Sequence, residues 1–356
     1  MTSVHEPAAA AAAGAGAPDS AARLGRLMDG YLTTQLLYVA TRLGVPDVLA
    51  GGPLTGAALA DAVGAHPGRL TRVLRGLALE DVVEELGDGR FALTATGELL
   101  RRDAAVSMGD LALIRGALYH RAAGELLAGI LDPVATPFER AYGEPFFALL
   151  GRDPALGPAF HAAMANRSEH EAGEVVAALS GADAWRTVVD VGGGSGVLLG
   201  ALLAAHPQLR GTLLDVPPAL PAARERLARL GLAGRAATVA GDFFAAVPAG
   251  ADGYVLSRIL HDWEDEAAGR ILTAVRDAMR PDSRLVVVEA LLPERATDLP
   301  PAIRMDLTML ILLGARERTE GEFGALLERA GLRLERVAGT GSPLGVSVLE
   351  AVPDGR

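Results

Sequence analysis

The stretch Val188–Gly196, VVDVGGGSG, decides the fold of this chain. Its valines supply an apolar, β-branched strand, and its glycines allow a tight turn in which the backbone comes close to a ligand. A helical pattern resumes directly afterwards with VLLGALLAAHP. A strand, a glycine turn and a helix form the first unit of a doubly wound sheet, which binds its ligand at the carboxyl end of the strand.

The spacing of Gly192, Gly194 and Gly196 narrows the choice of ligand. A dinucleotide fingerprint reads G-x-G-x-x-G, and here Val197 stands where its third glycine should be. The pattern G-x-G-x-G therefore lacks a signature for pyrophosphate.

The two following strands end in residues that suit adenosine. Asp215 closes the strand GTLLDVP, about 20 residues after the turn, where an acidic side chain can accept hydrogen bonds from both ribose hydroxyls. The third strand ends in GDFF, which offers Asp242 to an adenine amino group and Phe243 to the adenine ring. We therefore predict an adenosine-bearing cofactor.

The amino-acid composition excludes several classes of protein. The chain has 356 residues, a net charge of −11 and no cysteine, which excludes disulfides, thiolate nucleophiles and cysteine-based metal sites. The acidic balance disfavours nucleic acid, whose phosphates require clustered cations. Apolar runs such as 307–315 are shorter than the roughly 20 residues that span a bilayer, so no membrane partner is expected. Residues 1–18 have the composition of a disordered leader and not of a signal peptide, and a cytoplasmic location is expected.

The pattern after this leader predicts a winged-helix domain at 19–105, in which three helices precede a hairpin that turns at Asp88-Gly89. Such a domain suits DNA binding or dimerisation. Between Pro53 and Asp103 six arginines stand against eight acidic residues, which favours the dimerisation scaffold. Residues 106–180 are predicted to be a helical linker and substrate-pocket region, interrupted by an apolar loop at 132–147.

Residues 181–356 alternate strands and helices, which predicts an α/β, Rossmann-like, mostly parallel sheet. Two edge strands are predicted near the C-terminus, RLERVAGT and GVSVLEAV. The five parallel strands are predicted within TVVDVG, GTLLDV, ATVAGD, GYVLSRIL and RLVVVEALL.

The fourth of these strands leads into SRILHDWEDE, which places His261 at the ligand-binding edge of the sheet. An imidazole has an unperturbed pKa of about 6.5 and can accept a proton from a substrate hydroxyl. Glu289, at the end of the fifth strand, and Glu317 are the carboxylates that could orient this ring. A solvated strand end for Glu289 and an ion pair with a neighbouring arginine for Glu317 are the structural alternatives.

The acidic residues after His261 admit a simpler interpretation. Asp262, Glu264, Asp265 and Glu266 suit the first turn of the next helix, whose dipole favours negative charge. No histidine pair has the spacing of a zinc site, and we expect no metal. A Mg²⁺ site made of Asp262, Glu289 and Asp306 is a minor alternative.

These motifs together resemble the S-adenosylmethionine-dependent O-methyltransferases of the plant caffeate and isoflavone type, and their bacterial relatives that tailor polyketides and other natural products. VVDVGGGSG, LLDVP, GDFF, ILHDWEDE, VVVEALLP, MDLTML and LGARERT occur in the order and at the spacing of that family, over nearly the whole chain. The resemblance implies methyl transfer from S-adenosyl-L-methionine to a hydroxyl of an aromatic acceptor, and a homodimer formed through the N-terminal domain.

The resemblance also assigns roles to individual residues. It implies His261 as general base, flanked by Glu289 and Glu317. The implied cofactor contacts are Gly192, Gly194, Gly196, Asp215, Asp242, Phe243, Ser168, Trp263 and Ser257, the last of which replaces a lysine common in plant members. The implied acceptor contacts are Phe160, Met164, Asp262 and Met309.

Several alternatives stay open at this point. Some bacterial relatives bind the cofactor but catalyse hydroxylation or decarboxylation, and the winged-helix pattern leaves a ligand-responsive DNA regulator as a different class of function. An amine could replace the hydroxyl as methyl acceptor. Strongly anionic acceptors are disfavoured by the negative charge of the chain.

Overall fold

The computed structural model describes residues 17–154, 156–343 and 345–355. The chain divides into two compact units between His120 and Arg121. Residues 1–16 of the predicted leader lie outside the described residues, and Ala17 begins the first helix. In the described part of the chain, no helix is long and apolar enough to cross a membrane.

The N-terminal unit contains short helices and a small antiparallel sheet with the strand order β1-β3-β2. The strands are β1 (Leu54–Thr55), β2 (Val83–Glu85) and β3 (Arg90–Leu93). The helices are α1 (Ala17–Met28), α2 (Gly30–Leu43), α3 (Val45–Leu49), α4 (Gly56–Val63), α5 (Pro67–Leu79), α6 (Ala95–Glu98) and α7 (Gly109–Ile114), followed by a π-helical turn at Arg115–Tyr119 and by α8 (His120–Ala123), which crosses the unit boundary.

The predicted hairpin is confirmed as β2–β3, with Glu85 opposite Phe91. Its turn depends on Gly89, whose φ of 77° is a conformation that favours glycine. Asp88 reinforces the turn because its side chain accepts a hydrogen bond from the backbone N–H of Arg90. The helices and hairpin pack around Leu59, Leu74 and other buried residues.

The C-terminal unit has a seven-stranded sheet with helices on both faces. Its strands are β4 (Thr187–Val191), β5 (Arg210–Asp215), β6 (Ala236–Ala240), β7 (Gly253–Ser257), β8 (Arg284–Ala290), β9 (Leu332–Gly339) and β10 (Val346–Pro353). Its helices are α9 (Leu126–Leu131), α10 (Pro137–Tyr142), α11 (Phe146–Arg152), α12 (Leu156–Ala178), α13 (Val197–Ala205), α14 (Leu220–Arg229), α15 (Asp265–Ala278), α16 (Pro300–Leu313) and α17 (Glu320–Arg329).

The strand order is β6-β5-β4-β7-β8-β10-β9. The first five of these strands are parallel, which confirms the predicted doubly wound sheet. One core on the sheet contains residues of α15 and α17, and a second contains residues of α12, α13 and α14. The strand order reverses between β4 and β7, and ligands of such sheets bind where this occurs.

The prediction of two edge strands was half wrong. β9 is an edge strand, but β10 lies between β8 and β9 and pairs antiparallel with both. Residues 346–351 are accordingly buried. The apolar stretch GVSVLEAV suits either position, because alternation alone does not say which neighbour the returning hairpin will choose.

The predicted loop at 132–147 is also wrong in part, since it contains α10 and the start of α11. Thr136 and Glu139 form a capping box, in which each side chain accepts a hydrogen bond from the backbone N–H of the other residue. Pro137 occupies the first turn, where its missing N–H costs little, and Gly143 ends the helix with a φ of 79°. Proline and glycine therefore bound a helix here and do not prevent one.

One glycine of the sheet allows a tryptophan to pack directly on the backbone. A Cβ added to Gly253 of β7 would lie 2.5 Å from the buried ring of Trp185. Gly253→Ala should lower the free energy of unfolding by about 1 to 3 kcal/mol, the usual cost of overpacking. The control is Gly269→Ala in α15, where an added Cβ meets nothing within 4 Å. Equal denaturant stability of both variants would contradict this assignment.

Candidate active site

The glycine turn lies between β4 and α13, at the carboxyl edge of the parallel strands. Gly192, Gly194 and Gly196 have φ values of 72°, 54° and 73°, which favour glycine. A Cβ on Gly192 would come within 2.5 Å of the side chain of Ile259. The turn therefore requires glycine both for its backbone conformation and for its close approach to the residues after β7.

The structure brings the turn and the predicted ribose-binding acid together. Asp215 Oδ2 accepts a hydrogen bond from the N–H of Gly194 at 2.7 Å, and Oδ1 accepts one from Val216 at 2.7 Å. Burial raises the pKa of Asp215. Asp190, buried beneath the turn, has its pKa raised to about 7, first by burial and then by the charge of Asp215.

Aromatic residues follow the ends of strands β6 and β7. Trp263 packs edge-on against Phe243 and Phe244, with ring centroids 6.3 and 4.7 Å away. Asp242 is exposed and accepts a hydrogen bond from the backbone N–H of Phe244 at 2.9 Å. Asp215 can accept hydrogen bonds from ribose hydroxyls, and the half-buried rings of Phe243 and Trp263 offer an apolar surface to adenine. The residues present therefore fit an adenosine-bearing cofactor.

His261 lies in the 3₁₀ turn Leu260–Asp262 that follows β7. Its side chain is buried, and Nδ1 lies 2.9 Å from Glu317 Oε1. The nearest oxygen of Glu289, Oε2, is 3.6 Å from Nδ1. Since an N–H···O hydrogen bond is usually no longer than 3.2 Å, Glu317 is the carboxylate that orients the ring. Nε2 lies on the other side, 3.4 Å from Asp262 Oδ1.

The electrostatic environment favours the protonated imidazole. Burial lowers the pKa of His261, but nearby carboxylates outweigh this effect and raise the pKa from 6.5 to about 9. These carboxylates are Glu289, Asp262 and Glu317, and Glu317 acts both through its charge and through its hydrogen bond to the ring. The site is thus arranged to stabilise an imidazolium, which is the product of proton abstraction.

Glu289 holds the turn and does not hold the ring. Its Oε1 accepts hydrogen bonds from three successive backbone N–H groups at 2.9 to 3.3 Å, those of Ile259, Leu260 and His261. Burial raises the pKa of Glu289 and the charge of His261 opposes this. Glu289, near the end of the interior strand β8, therefore fixes the backbone that carries the histidine.

Glu317 is itself held in place. Its N–H donates to Asp306 Oδ1 of α16 at 2.9 Å. The neighbouring Arg318 is 1% exposed and donates to the carbonyl oxygens of Leu260 and Trp263 and to Asp265. The sequence alternative of an ion pair between Glu317 and Arg316 or Arg318 is therefore wrong, because Arg316 pairs with Glu322 and Arg318 binds the turn of His261.

The helix that follows begins at Asp265. Asp265 and Glu266 lie in its first turn, as predicted, but Asp262 does not. Burial raises the pKa of Asp262 to about 7, against the opposing charge of His261. The simpler interpretation of Asp262 as a helix-start residue was wrong because the 3₁₀ turn directs it toward the histidine ring.

The chain matches models of a known protein family over most of its length. Residues 124–333 match the O-methyltransferase domain, and residues 25–103 match the O-methyltransferase dimerisation domain. The chain belongs to the O-methyltransferase family. The predicted fold and the prediction of an S-adenosylmethionine-dependent methyltransferase are thereby confirmed.

Individual relatives cover almost the full length. A mitomycin biosynthesis 6-O-methyltransferase of Streptomyces lavendulae is 43% identical over 87% of this chain and 88% of its own. The structure of the mitomycin 7-O-methyltransferase matches with a TM-score of 0.89 at 40% identity, covering 95% of this chain and 99% of that one. An O-methyltransferase from neocarzinostatin biosynthesis, solved with S-adenosylmethionine and 2-hydroxy-5-methyl naphthoic acid, matches with a TM-score of 0.81 at 37% identity, covering 90% and 96%.

The remaining predicted contacts of this O-methyltransferase lie on three elements. Phe160, Met164 and Ser168 are half-buried on α12, where the ring of Phe160 packs edge-on against Phe146 at 5.2 Å. Ser257 is the last residue of β7, and Met309 is buried on α16, a helix that packs against the turn of His261. Their contacts with cofactor and acceptor stay predictions.

The side chains that lie close enough together to share a metal ion are those of the proposed catalytic residues. Within the described ranges, the only group of His, Asp and Glu side chains close enough to share an ion is His261, Glu289 and Glu317, whose ligand atoms lie within 4.8 Å. The minor Mg²⁺ alternative is not formed in that part of the chain, since Asp262 and Asp306 do not join this group. The expectation that no metal is required stays a prediction.

Sequence reasoning missed an arginine cluster beside the site. Arg258, directly after β7, binds Glu171 of α12, and Arg167 binds the same carboxylate. Arg167 and Glu171 are four residues apart on one helix, and such a pair is usually a weak surface contact. Their burial follows only from the packing of α12, which no local pattern reveals.

Proposed function

We propose that His261 is the general base of methyl transfer from S-adenosylmethionine to a hydroxyl of an aromatic natural product. The observation that supports this proposal is the pairing of Nδ1 with buried Glu317, which leaves Nε2 as the nitrogen that can take a proton from the acceptor. Relatives act on aromatic compounds, as the bound naphthoic acid of one of them illustrates.

The cofactor, when bound, supplies an electrophilic methyl group carried on a sulfonium. We assign Gly192, Gly194 and Gly196 to its methionine side and Asp215 to its ribose. Asp242, Phe243 and Trp263 suit the adenine, since they form one polar and aromatic group at the end of β6. Ser168 and Ser257 complete the proposed cofactor contacts.

The chain's own part in the reaction is alignment and removal of one proton. The acceptor oxygen uses a lone pair to form the bond to the methyl carbon as the methyl–sulfur bond breaks, and its hydroxyl proton passes to Nε2 of His261. The carboxylates around the imidazole stabilise the cation so formed. Alignment contributes most, because well-oriented groups reach effective molarities of about 10⁵ to 10⁸ M.

Acceptor contacts are proposed for Phe160, Met164, Met309 and Asp262. Phe160 extends an aromatic cluster of Phe138 and Phe146, whose rings pack edge-on at 5.1 Å. Apolar and aromatic walls suit a planar aromatic ring, and Oδ1 of Asp262 lies 3.4 Å from Nε2 of His261.

We also propose a homodimer formed through the N-terminal unit. Residues 25–103 match the dimerisation domain, and Leu24, Leu27, Met28 and Tyr31 of α1 and α2 are more than half exposed. Exposed apolar residues that cluster along helices commonly mark a protein interface. The cytoplasmic location and the absence of nucleic-acid and membrane partners stay predictions.

The cofactor assignment is tested by Asp215→Ala. Loss of two hydrogen bonds to a carboxylate should weaken binding of S-adenosylhomocysteine about 100-fold or more, measured by titration calorimetry. Asp183→Ala is the control, because the Asp183 side chain is 96% exposed before the amino end of β4. Unchanged affinity of the Asp215 variant would remove Asp215 from the cofactor site.

A further inference from the structure

Two arginines share one carboxylate beside the catalytic turn. Arg258 Nη2 lies 3.1 Å from both oxygens of Glu171, and Arg167 Nε lies 3.3 Å from Oε1. The side chains of Arg258, Arg167 and Glu171 are 15%, 21% and 12% exposed, respectively. Two guanidinium groups thus share one carboxylate, and the charge of Arg258 also lowers the pKa values of the neighbouring buried carboxylates Asp262 and Glu289, against the larger effect of burial.

Arg258 is costly to the fold in two ways. Its φ of 57° lies in the left-handed region that non-glycine residues rarely adopt. Its Nε and Nη1 are buried and have no hydrogen-bond partner among the described residues. Strained backbone and unsatisfied buried donors are each unfavourable, and both persist where function requires them.

Arg258 belongs to the segment that carries the catalytic histidine. It directly follows β7 and lies three residues before His261, and its N–H donates to the carbonyl oxygen of Val288 in β8 at 3.0 Å. The charge of Arg258 lowers the pKa of Asp262, against the larger effect of burial. Asp262 lies at Nε2 of His261, the side from which the acceptor hydroxyl loses its proton.

We propose that Arg258, with Arg167 beside it, forms a carboxylate-binding subsite, and that the preferred acceptor is an aromatic hydroxy acid. A guanidinium has several N–H donors and binds carboxylates through charge-assisted hydrogen bonds. The inference rests on the proposed function, since it takes the reacting hydroxyl to lie at His261. It departs from the expectation based on net charge, because Nε and Nη1 of Arg258 are buried donors without a partner among the described residues, and a carboxylate would satisfy them.

The test compares two acceptors, 1-hydroxy-2-naphthoate and its methyl ester, of which only the first carries a negative charge. For the wild-type enzyme and for Arg258→Met, kcat/KM with each compound is measured by mass gain of one methyl group. Equilibrium binding of each compound to the enzyme loaded with S-adenosylhomocysteine is measured in parallel by calorimetry. Binding reports the carboxylate preference without turnover, so failure of methyl transfer alone would count against the proposed function and not against the subsite.

The wild-type enzyme should prefer the carboxylate about 10- to 100-fold, and Arg258→Met should abolish most of this preference. Arg258→Lys should restore part of it, since the charge returns without the planar donor geometry. The matched control is Arg226→Met, which removes a different arginine bound to α12 through Glu169 and should keep the preference.

Two results would overturn the proposal. One is a wild-type enzyme that shows no preference for the carboxylate, or a preference that Arg258→Met leaves intact. The other is an Arg258→Met enzyme with an intact preference but weaker binding of S-adenosylhomocysteine and unchanged binding of methylthioadenosine, which lacks the amino-acid carboxylate. That pattern would assign the arginine to the cofactor.

Discussion

His261→Ala should lower kcat on a phenolic acceptor by about 10²- to 10⁴-fold, the usual contribution of a positioned general base. The variant removes the nitrogen that takes the acceptor's proton, while the glycine turn, Asp215 and the aromatic group near Trp263 stay in place. Affinity for S-adenosylhomocysteine should therefore change little. Steady-state kinetics and titration calorimetry on the same preparation separate the two effects.

The matched control is His66→Ala, which removes an exposed histidine at the start of α5 in the N-terminal unit. It should retain full turnover. Retained turnover in His261→Ala would sink the general-base assignment and leave alignment as the sole source of catalysis. Loss of cofactor binding together with turnover would instead indicate that the turn 260–262 had lost its conformation.

The sequence was sufficient to predict the parallel strands of the sheet and the order in which the site residues follow them. Strand alternation and the glycine spacing are local patterns, and each strand end follows directly from them, so Asp215 and His261 were correctly placed at one edge. Two of the wrong predictions, the place of β10 and the loop at 132–147, concern the choice of a neighbour and a helix of six residues. Short helices and strand partners depend on tertiary contacts that periodicity does not encode.

The supporting residues of the site were out of reach for a different reason. Arg318 is 1% exposed yet reads as an ordinary charge in ARERT, and its role follows from the carbonyl oxygens of Leu260 and Trp263 that it binds. Which glutamate orients His261 likewise required the distances of 2.9 and 3.6 Å. A sequence gives the donors and acceptors, but only packing selects the pairs.

Glu317→Gln should lower the plateau of kcat by about 10- to 100-fold, because the imidazolium loses a charge-assisted hydrogen bond worth about 1.5 to 3 kcal/mol. The pH profile makes this outcome specific. In the wild-type enzyme a base with a pKa of about 9 is mostly protonated at pH 7, so kcat/KM should rise with pH through that value. Removing one of the carboxylates should move the rising limb toward lower pH.

Deprotonation of His261 should raise activity but lower the stability of the folded protein. The pKa of His261 is raised in the folded state above its ordinary 6.5, so its stabilising contribution is complete below pH 6.5 and is lost as the pH rises through about 9. Activity should therefore rise with pH over the window in which this contribution to stability declines. Glu317→Gln should reduce both changes, because it lowers the folded-state pKa toward the ordinary value.

Glu289→Ala is the comparison that separates orientation of the ring from support of the turn. This variant leaves three backbone N–H groups without their acceptor and should lower the free energy of unfolding by about 3 to 5 kcal/mol, measured by denaturant titration. Glu317→Gln keeps an oxygen at its position and should affect stability far less than it affects the plateau rate. If Glu289→Ala were as stable as wild type, or if Glu317→Gln left both the plateau and the pH limb unchanged, the division of labour between the two carboxylates would be wrong. Glu317 orients the ring that takes the proton, and Glu289 holds the backbone that carries this ring while its charge also raises the pKa of the imidazole.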